Sequence, residues 1–233
     1  MLEVVPILCR AGQMDNYAYL LVDKSTGISA ILDASEAAPI IAECQKKNVK
    51  PQFLLNTHHH FDHVEGNAEL RELFGAKIVG AAKDKNRIEN MDIALNDGDV
   101  FELGDSKAHI ISADGHTIGH ILWYFPQDKV LFTGDTLFNL SIGGLFEGAP
   151  EQMWSSLQKI KNLPDDVLFY PGHEYTVYGM ANLEGESGIK YAETARKRLS
   201  AGLPAGPFTL ADEKKCNPYL RIDSLQEFCR LFN

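Results

Sequence analysis

The run Thr57-His58-His59-His60-Phe61-Asp62-His63 decides the fold and holds half of the chain's eight histidines. It directly follows the short apolar segment 52–56, which is predicted to be a strand, so a loop leaving a sheet edge can point several of these side chains at one place. Imidazole and carboxylate groups suit zinc, iron or manganese at a hydrolytic centre, and the absence of cysteine here argues against a closed structural zinc site. The run therefore predicts an open metal site.

Three further segments share this character, each with a histidine or aspartate beside glycine at the end of an apolar strand. A single segment of this kind is more often a turn than a ligand, but four in one chain favour a metal site assembled from strand ends. The three segments are Gly115-His116-Thr117-Ile118-Gly119-His120, Phe132-Thr133-Gly134-Asp135-Thr136 and Tyr170-Pro171-Gly172-His173-Glu174.

Length and composition predict a globular protein with one large domain and an appendage. The chain has 233 residues, 45% of them hydrophobic and 23% charged. Its net charge of -10 disfavours a nucleic-acid partner, which would require the opposite sign. Apolar runs stay below the roughly 18 residues of a membrane span, and no signal peptide is evident. Four scattered cysteines resemble neither a disulfide framework nor a thiolate site, so we expect a cytoplasmic protein.

The pattern along the chain predicts strand blocks separated by single helices, followed by a helical end. Strands are expected within 2–34 as a meander, and at 52–56, 77–80, 99–103, 107–112, 120–125, 130–133 and 167–170. Helices are expected at 36–47, 67–74, 150–163, 176–184, 188–201 and 223–232.

On these motifs the sequence resembles the metallo-β-lactamase superfamily and, within it, the glyoxalase II (hydroxyacylglutathione hydrolase) family. The segments Gly134-Asp135-Thr136-Leu137-Phe138, Gly172-His173-Glu174-Tyr175-Thr176 and Asn217-Pro218-Tyr219-Leu220-Arg221 add to the likeness. The resemblance implies an α/β protein: an αββα sandwich in residues 1–174, followed by a small α-helical, substrate-binding region in residues 175–233.

Carried over by residue, the resemblance implies two divalent metal ions, with zinc expected and iron or manganese as alternatives. It places one ion on His58, His60 and His116 and the other on Asp62, His63 and His173, with Asp135 bridging both. His59 and His120 match positions that are not ligands and are expected to support the ligands or pack beside them, while Thr57 and Thr136 either orient ligands or have ordinary structural roles.

The implied reaction is hydrolysis of S-D-lactoylglutathione to glutathione and D-lactate by a hydroxide that bridges the two metals. Asp62 and Asp135 are the candidate catalytic residues that steer this hydroxide, and Tyr175 matches a tyrosine that contacts glutathione. The sequence departs from the family at Gly144 and Phe146, where a lysine and a tyrosine are common. These two positions are nevertheless assigned to substrate binding.

Three alternative functions within the same fold stay open. The expected assembly is a monomer. One alternative is hydrolysis of other thioesters, because the departures at Gly144 and Phe146 remove polar contacts to glutathione. Another is opening of lactones or β-lactams by the same hydroxide. The third is a persulfide dioxygenase with a single iron, whose chemistry is redox. A binding module in which metals only stabilise the fold is a different class, and an open site without cysteine disfavours it.

Overall fold

The computed structural model describes residues 1–183 and 185–232, and its strands belong to two sheets. The chain divides into two compact units: residues 1–112 with 119–128, and residues 113–118 with 129–233. Among the described residues, no helix combines the length and the hydrophobicity needed to cross a lipid bilayer. The α/β class with a helical C-terminal region is confirmed, and the domain boundary at residue 174 stays a prediction.

The first unit contains a six-stranded sheet whose strands lie side by side in chain order. The first three strands pair antiparallel, and the remaining pairs are parallel. Most side chains of the second to fifth strands are buried, which explains their nearly continuous apolar sequences. These strands are β1 (Leu2–Cys9), β2 (Asn16–Asp23), β3 (Ser29–Leu32), β4 (Phe53–Leu55), β5 (Lys77–Ala81) and β6 (Ile93–Leu95).

Three helices accompany this sheet: α1 (Ala37–Lys47), α2 (Phe61–Val64) and α3 (Asn67–Phe74). Because parallel strands need a crossover, α1 links β3 to β4, and α2 and α3 link β4 to β5. Helix α1 ends at Asn48, whose left-handed backbone stops the helix. The core between helices and sheet includes Ile7, Leu20, Ile31, Ile40, Leu54 and Leu70.

The first unit also holds three antiparallel strands of the second sheet, β7 (Val100–Leu103), β8 (Ser106–Ser112) and β9 (Ile121–Phe125). The fully buried indole of Trp123 packs edge-on against Phe101 and donates a hydrogen bond to the carbonyl of Asn56 at 3.2 Å. This bond fixes the backbone at the end of β4, directly before the histidine run.

The second unit holds the strands β10 (Val130–Gly134), β11 (Leu168–Pro171) and β12 (Phe208–Thr209). Helix α4 (Pro150–Lys161) connects β10 to β11, which pair in parallel, and β12 pairs antiparallel with β11. The helices that follow are α5 (Thr176–Gly179), α6 (Gly185–Ser200), α7 (Leu210–Cys216) and α8 (Leu225–Arg230).

The predicted helix at 176–184 is wrong beyond its first turn. Helix α5 ends at Gly179, a poor helix former, and the chain continues as a 3-10 turn, Met180–Asn182, before extended backbone at Leu183. Glu184, at the end of that prediction, and Asn233, the last residue of the chain, lie outside the described residues. Helices α2 and α7 and strands β6 and β12 were not predicted, because each is too short for its periodicity to stand out.

Candidate metal centre

The histidine run places two pairs of candidate ligand atoms in the first unit. His58 and His60 follow β4, and Nε2 of His58 lies 3.1 Å from Nδ1 of His60. Asp62 and His63 sit on α2, with Oδ2 of Asp62 3.5 Å from Nε2 of His63. All four are buried except His60, which is half-buried. The short helix thus turns two consecutive residues inward, next to a pair placed by the preceding loop.

A buried carboxylate outside the predicted set, Asp33, fixes the protonation of two of these histidines. It accepts hydrogen bonds from the backbone N–H and the hydroxyl of Thr57, both at 2.8 Å, and from Nδ1 of His63 at 3.0 Å. Because a carboxylate only accepts, His63 carries a proton on Nδ1, and the neutral ring offers the lone pair of Nε2. The Thr57 hydroxyl lies 3.0 Å from Nδ1 of His58. Because it donates its own proton to Asp33, it can only accept from His58, so Nδ1 of that ring is protonated as well.

Two residues near the start of the chain hold α2 in place. Nδ2 of Asn16 donates to Oδ2 of Asp62 at 2.8 Å and to its carbonyl at 3.1 Å. The guanidinium of Arg10 lies 5.2 Å from the ring centre of Phe61 and pairs with Glu65. The first residue of β2 therefore limits the movement of the Asp62 carboxylate.

The second unit places Asp135 between two histidines. Oδ2 of Asp135 lies 3.4 Å from Nε2 of His116 and 3.2 Å from Nε2 of His173, and all three side chains are buried. Nδ1 of His116 is 2.7 Å from the carbonyl oxygen of Gly144. Since a carbonyl only accepts, His116 is protonated on Nδ1, and in the neutral ring the Nε2 lone pair faces the carboxylate.

These protonation states fit a metal ion. In neutral His63 and His116, a lone pair on Nε2 faces a carboxylate oxygen at 3.5 and 3.4 Å, an arrangement of two acceptors that a cation between them stabilises. Histidine and aspartate without cysteine form a donor set for zinc, iron or manganese. The seven predicted ligands all belong to buried or half-buried His/Asp groups that could hold a metal ion. The chain thus carries a cluster suited to divalent metal.

The two predicted non-ligand histidines lie beside the first unit's ligands. The ring of His120 stacks on His58, with centroids 4.9 Å apart and planes at 22°. Nδ1 of His59 is 3.5 Å from Oδ2 of the buried Asp84. His120 therefore packs against a candidate ligand, and His59 contacts a buried carboxylate. Thr136 is fully buried, and its backbone N–H bonds to the carbonyl of Thr133 at 3.0 Å.

The three residues assigned to substrate binding all adjoin ligands of the second unit. The ring of Tyr175 stacks on His173, with centroids 4.7 Å apart and planes at 12°. Phe146 is 72% exposed and meets His116 edge-on at 5.1 Å. Gly144 holds His116 through its carbonyl. An aromatic surface thus borders two of the candidate ligands, His116 and His173.

Sequence reasoning did not identify Asp33 and Asn16 as residues of the site. Asp33 follows the buried strand β3 as the histidine run follows β4, so its position at the end of a strand was a usable signal. Asn16 begins a strand, and nothing local distinguishes it from a turn residue.

Comparison with known proteins agrees with this fold. The family model for the metallo-beta-lactamase superfamily matches residues 12–173, and that for the hydroxyacylglutathione hydrolase C-terminus matches residues 182–231. A hydroxyacylglutathione hydrolase from Pelagibacter ubique (strain HTCC1062) is 42% identical over 222 residues, which cover 93% of each chain. One from Ruegeria pomeroyi (strain ATCC 700808 / DSM 15171 / DSS-3) is 40% identical, covering 94% of this chain and 87% of the relative.

The crystal structure of ETHE1 from Myxococcus xanthus matches with a TM-score of 0.75, covering 98% of this chain and 89% of that one. At 23% identity this likeness concerns the fold alone. Fold and ligand chemistry together define a protein of the metallo-β-lactamase superfamily. Within that class, the chain belongs to the hydroxyacylglutathione hydrolase (glyoxalase II) family.

Proposed function

We propose that this protein is a thioester hydrolase that converts S-D-lactoylglutathione and water to glutathione and D-lactate. The observation that carries the proposal is the likeness to hydroxyacylglutathione hydrolases at 42% identity over 93% of both chains. The separate match of residues 182–231 to the C-terminal region of that family supports the same substrate class. The His/Asp cluster supplies the ligand chemistry that such a hydrolase needs.

The ligand assignment is part of the proposal. His58, His60 and His116 hold one divalent ion, Asp62, His63 and His173 hold a second, and Asp135 is common to both. The pairing of His58 with His60 and of Asp62 with His63 in the first unit supports this division. So does the position of Asp135 within 3.4 Å of both His116 and His173. Zinc is the expected ion, with iron and manganese as alternatives.

When bound, two such ions activate water and polarise an acyl carbonyl at neutral pH. The protein's own contribution is to orient the ligands and to position the reactants. Asn16 directs the carboxylate of Asp62, which steers the attacking water together with Asp135. Addition of water to the thioester carbonyl and cleavage of its C–S bond give the carboxylic acid and a thiol. The thiolate is a good leaving group, so little acid assistance is needed.

The substrate side rests on the aromatic residues beside the second unit's histidines. The stacking of Tyr175 on His173 fixes the plane of the ring, and its hydroxyl is the donor proposed to contact the glutathione peptide. Phe146 offers exposed apolar surface in place of a polar group. Gly144 contributes backbone only. A monomeric state and a cytoplasmic location complete the proposal.

Thiol release by the purified, metal-analysed protein tests this function. We expect S-D-lactoylglutathione to be hydrolysed with a kcat/KM about tenfold above that of a lactoyl thioester of N-acetylcysteamine, since the hydrogen bonds to the glutathione peptide, each contributing about 0.5–1.5 kcal/mol, are lost in the latter. Chelation should abolish the activity, and added Zn²⁺ should restore it. Equal turnover of the two esters would discard glutathione as the natural thiol.

A pair of variants links the activity to the ligands. Asp135→Asn should lose bound metal and thiol release, because an amide is a much poorer metal ligand than a carboxylate. Asp166→Asn is the matched control, since Asp166 forms an exposed pair with Lys129 in the same unit. Oxygen uptake with glutathione persulfide, without thiol release from the ester, would instead assign a dioxygenase.

A further inference from the structure

Helix α7 buries a carboxyl group that the proposed reaction does not use. Glu213 is completely buried and accepts three hydrogen bonds from neutral donors. Nδ2 of Asn217 and the backbone N–H of Leu140 reach Oε2 at 2.8 and 3.0 Å, and the hydroxyl of Tyr191 donates a short bond to Oε1.

Burying this group has a cost, because a carboxylate away from water loses its hydration. Burial raises the pKa of Glu213 from its ordinary value of 4.5 to about 7, against the lowering effect of its hydrogen bonds. An apolar side chain would fill the same space without that penalty. A carboxyl is suited to this position because it accepts from donors on three parts of the chain at once.

Glu213 and Asn217 together hold the backbone of residues 138–141. The Leu140 N–H that bonds to Glu213 belongs to a residue in the left-handed region, at φ +62°, which a non-glycine residue rarely adopts. Nδ2 of Asn217 also lies 3.1 Å from the carbonyl of Ser141 and 3.4 Å from that of Phe138. Two side chains of the C-terminal region therefore fix an unusual turn.

This turn lies in the middle of a segment, residues 135–144, that touches every ligand of the second unit. The segment begins at Asp135 itself. The ring of Phe138 meets His173 edge-on, with centroids 5.6 Å apart. A side-chain carbon at Gly143 would come within 1.9 Å of the Asp135 carbonyl, so the two backbones are in close contact. The segment ends at Gly144, whose carbonyl orients His116.

We propose that Glu213 and Asn217 are positioning residues for the metal ligands, acting through the segment 135–144. Helix α7 then does more than complete a substrate-binding region: it holds the turn that places Asp135, the Phe138 contact to His173 and the Gly144 carbonyl. The effect on turnover rests on the proposed function, whereas the effect on metal affinity does not.

The test compares Glu213→Gln and Asn217→Ala with Asp212→Asn. Glutamine keeps the shape of the glutamate but replaces one accepting oxygen with a donor, and Asn217→Ala removes the bonds to Ser141 and Phe138. Asp212 lies on the same helix, and its side chain accepts from the backbone N–H and the hydroxyl of Thr209 in the capping box, so it controls for damage to α7 itself. For each protein, Zn²⁺ affinity is measured by chelator competition, beside the Tm and the kcat and KM for S-D-lactoylglutathione.

We expect Zn²⁺ affinity to fall about tenfold in Glu213→Gln and Asn217→Ala, the lower end of the range for outer-shell changes. The kcat should fall with little change in KM, while Asp212→Asn keeps the wild-type affinity. Wild-type affinity in a folded Glu213→Gln protein, or an equal loss in Asp212→Asn, would overturn the proposal. If Glu213→Gln does not fold, Asn217→Ala decides alone. A wild-type protein that binds Zn²⁺ but leaves the ester intact would refute the proposed function only.

Discussion

Nδ1 of His63 donates a hydrogen bond to Oδ2 of Asp33 over 3.0 Å, and both side chains are almost completely buried. The same carboxylate accepts from the backbone and the hydroxyl of Thr57, which directly precedes the ligand His58. One aspartate at the end of β3 thus orients the first and the last candidate ligand of the histidine run. This makes Asp33 the most informative single residue to change in the first unit.

Asp33→Asn is expected to lower metal affinity by about 10- to 100-fold, the range found when partners of metal-bound histidines are lost. If the amide oxygen keeps the bond to the Thr57 N–H, the amide nitrogen faces His63 Nδ1. His63 must then accept there and carry its proton on Nε2, where it cannot bind a metal. Chelator competition with Zn²⁺ measures the change.

Asp23→Asn is the control for this prediction. Asp23 is also fully buried in the first unit, but it bonds to Ser25, Thr26 and Ser106. Its replacement should lower the Tm and leave Zn²⁺ affinity intact. Loss of affinity in both variants would mean that general destabilisation, and not histidine protonation, explains the effect.

Two adjacent glycines should differ sharply in their tolerance of a methyl group. A Cβ at Gly143 would lie 1.9 Å from the carbonyl oxygen of Asp135 and 3.0 Å from Nδ1 of His116, whereas one at Gly144 would approach only the Phe146 ring, at 3.4 Å. We expect Gly143→Ala to cost about 1–3 kcal/mol of stability, as overpacking does, and to reduce bound metal. Gly144→Ala should keep its metal.

Denaturant unfolding and elemental analysis of the two glycine variants provide the measurement. Equal metal contents and stabilities would show that the 143–144 backbone does not constrain Asp135.

Tyr175→Phe should raise the KM for S-D-lactoylglutathione by roughly 2- to 12-fold with kcat nearly unchanged, as expected for one neutral hydrogen bond. The phenylalanine ring can keep the stacking on His173, so only the hydroxyl is tested. Tyr178→Phe is the matched control, because Tyr178 lies three residues further along the chain, in α5, and is 77% exposed. A fall in kcat at constant KM would instead assign the tyrosine to ligand orientation.

The stability of the protein should carry a pH dependence that originates at Glu213. Burial raises the pKa of this carboxyl from 4.5 to about 7 in the folded state, so the folded protein holds the proton more tightly than the unfolded chain. The contribution of this carboxyl to the free energy of unfolding is therefore fully present below pH 4.5. It decreases as the pH rises to about 7, by roughly 3 kcal/mol in total.

Glu213→Gln removes this titration, so the difference in unfolding free energy between wild type and variant isolates it. The unfolding free energy of the variant should rise relative to that of the wild type between pH 4.5 and 7.5. Urea unfolding at each pH measures this difference. Burial also raises the pKa values of the neighbouring Tyr191 and Cys216, which keeps both groups protonated over this range. A pH-independent difference would contradict the predicted shift.

Much of the candidate site could be proposed from the sequence because its candidate ligands are close together or marked by glycine at strand ends. His58, His60, Asp62 and His63 lie within six positions, and they keep that proximity in the structure whatever the rest of the chain does. The strands could be predicted for a similar reason, since the spacing and the number of apolar residues are local properties of the sequence. Short elements such as α2 and α7 gave no such signal.

The sequence by itself thus determined the α/β class, the family and the candidate ligands, because these depend on residue type and local spacing. Only the tertiary structure decided which side chains orient those ligands. The bond from His63 to Asp33 joins residues 30 positions apart, and that from Leu140 to Glu213 joins residues 73 apart. Such contacts arise from packing of the whole chain, and a hydrogen bond depends on distances and angles that no local pattern encodes.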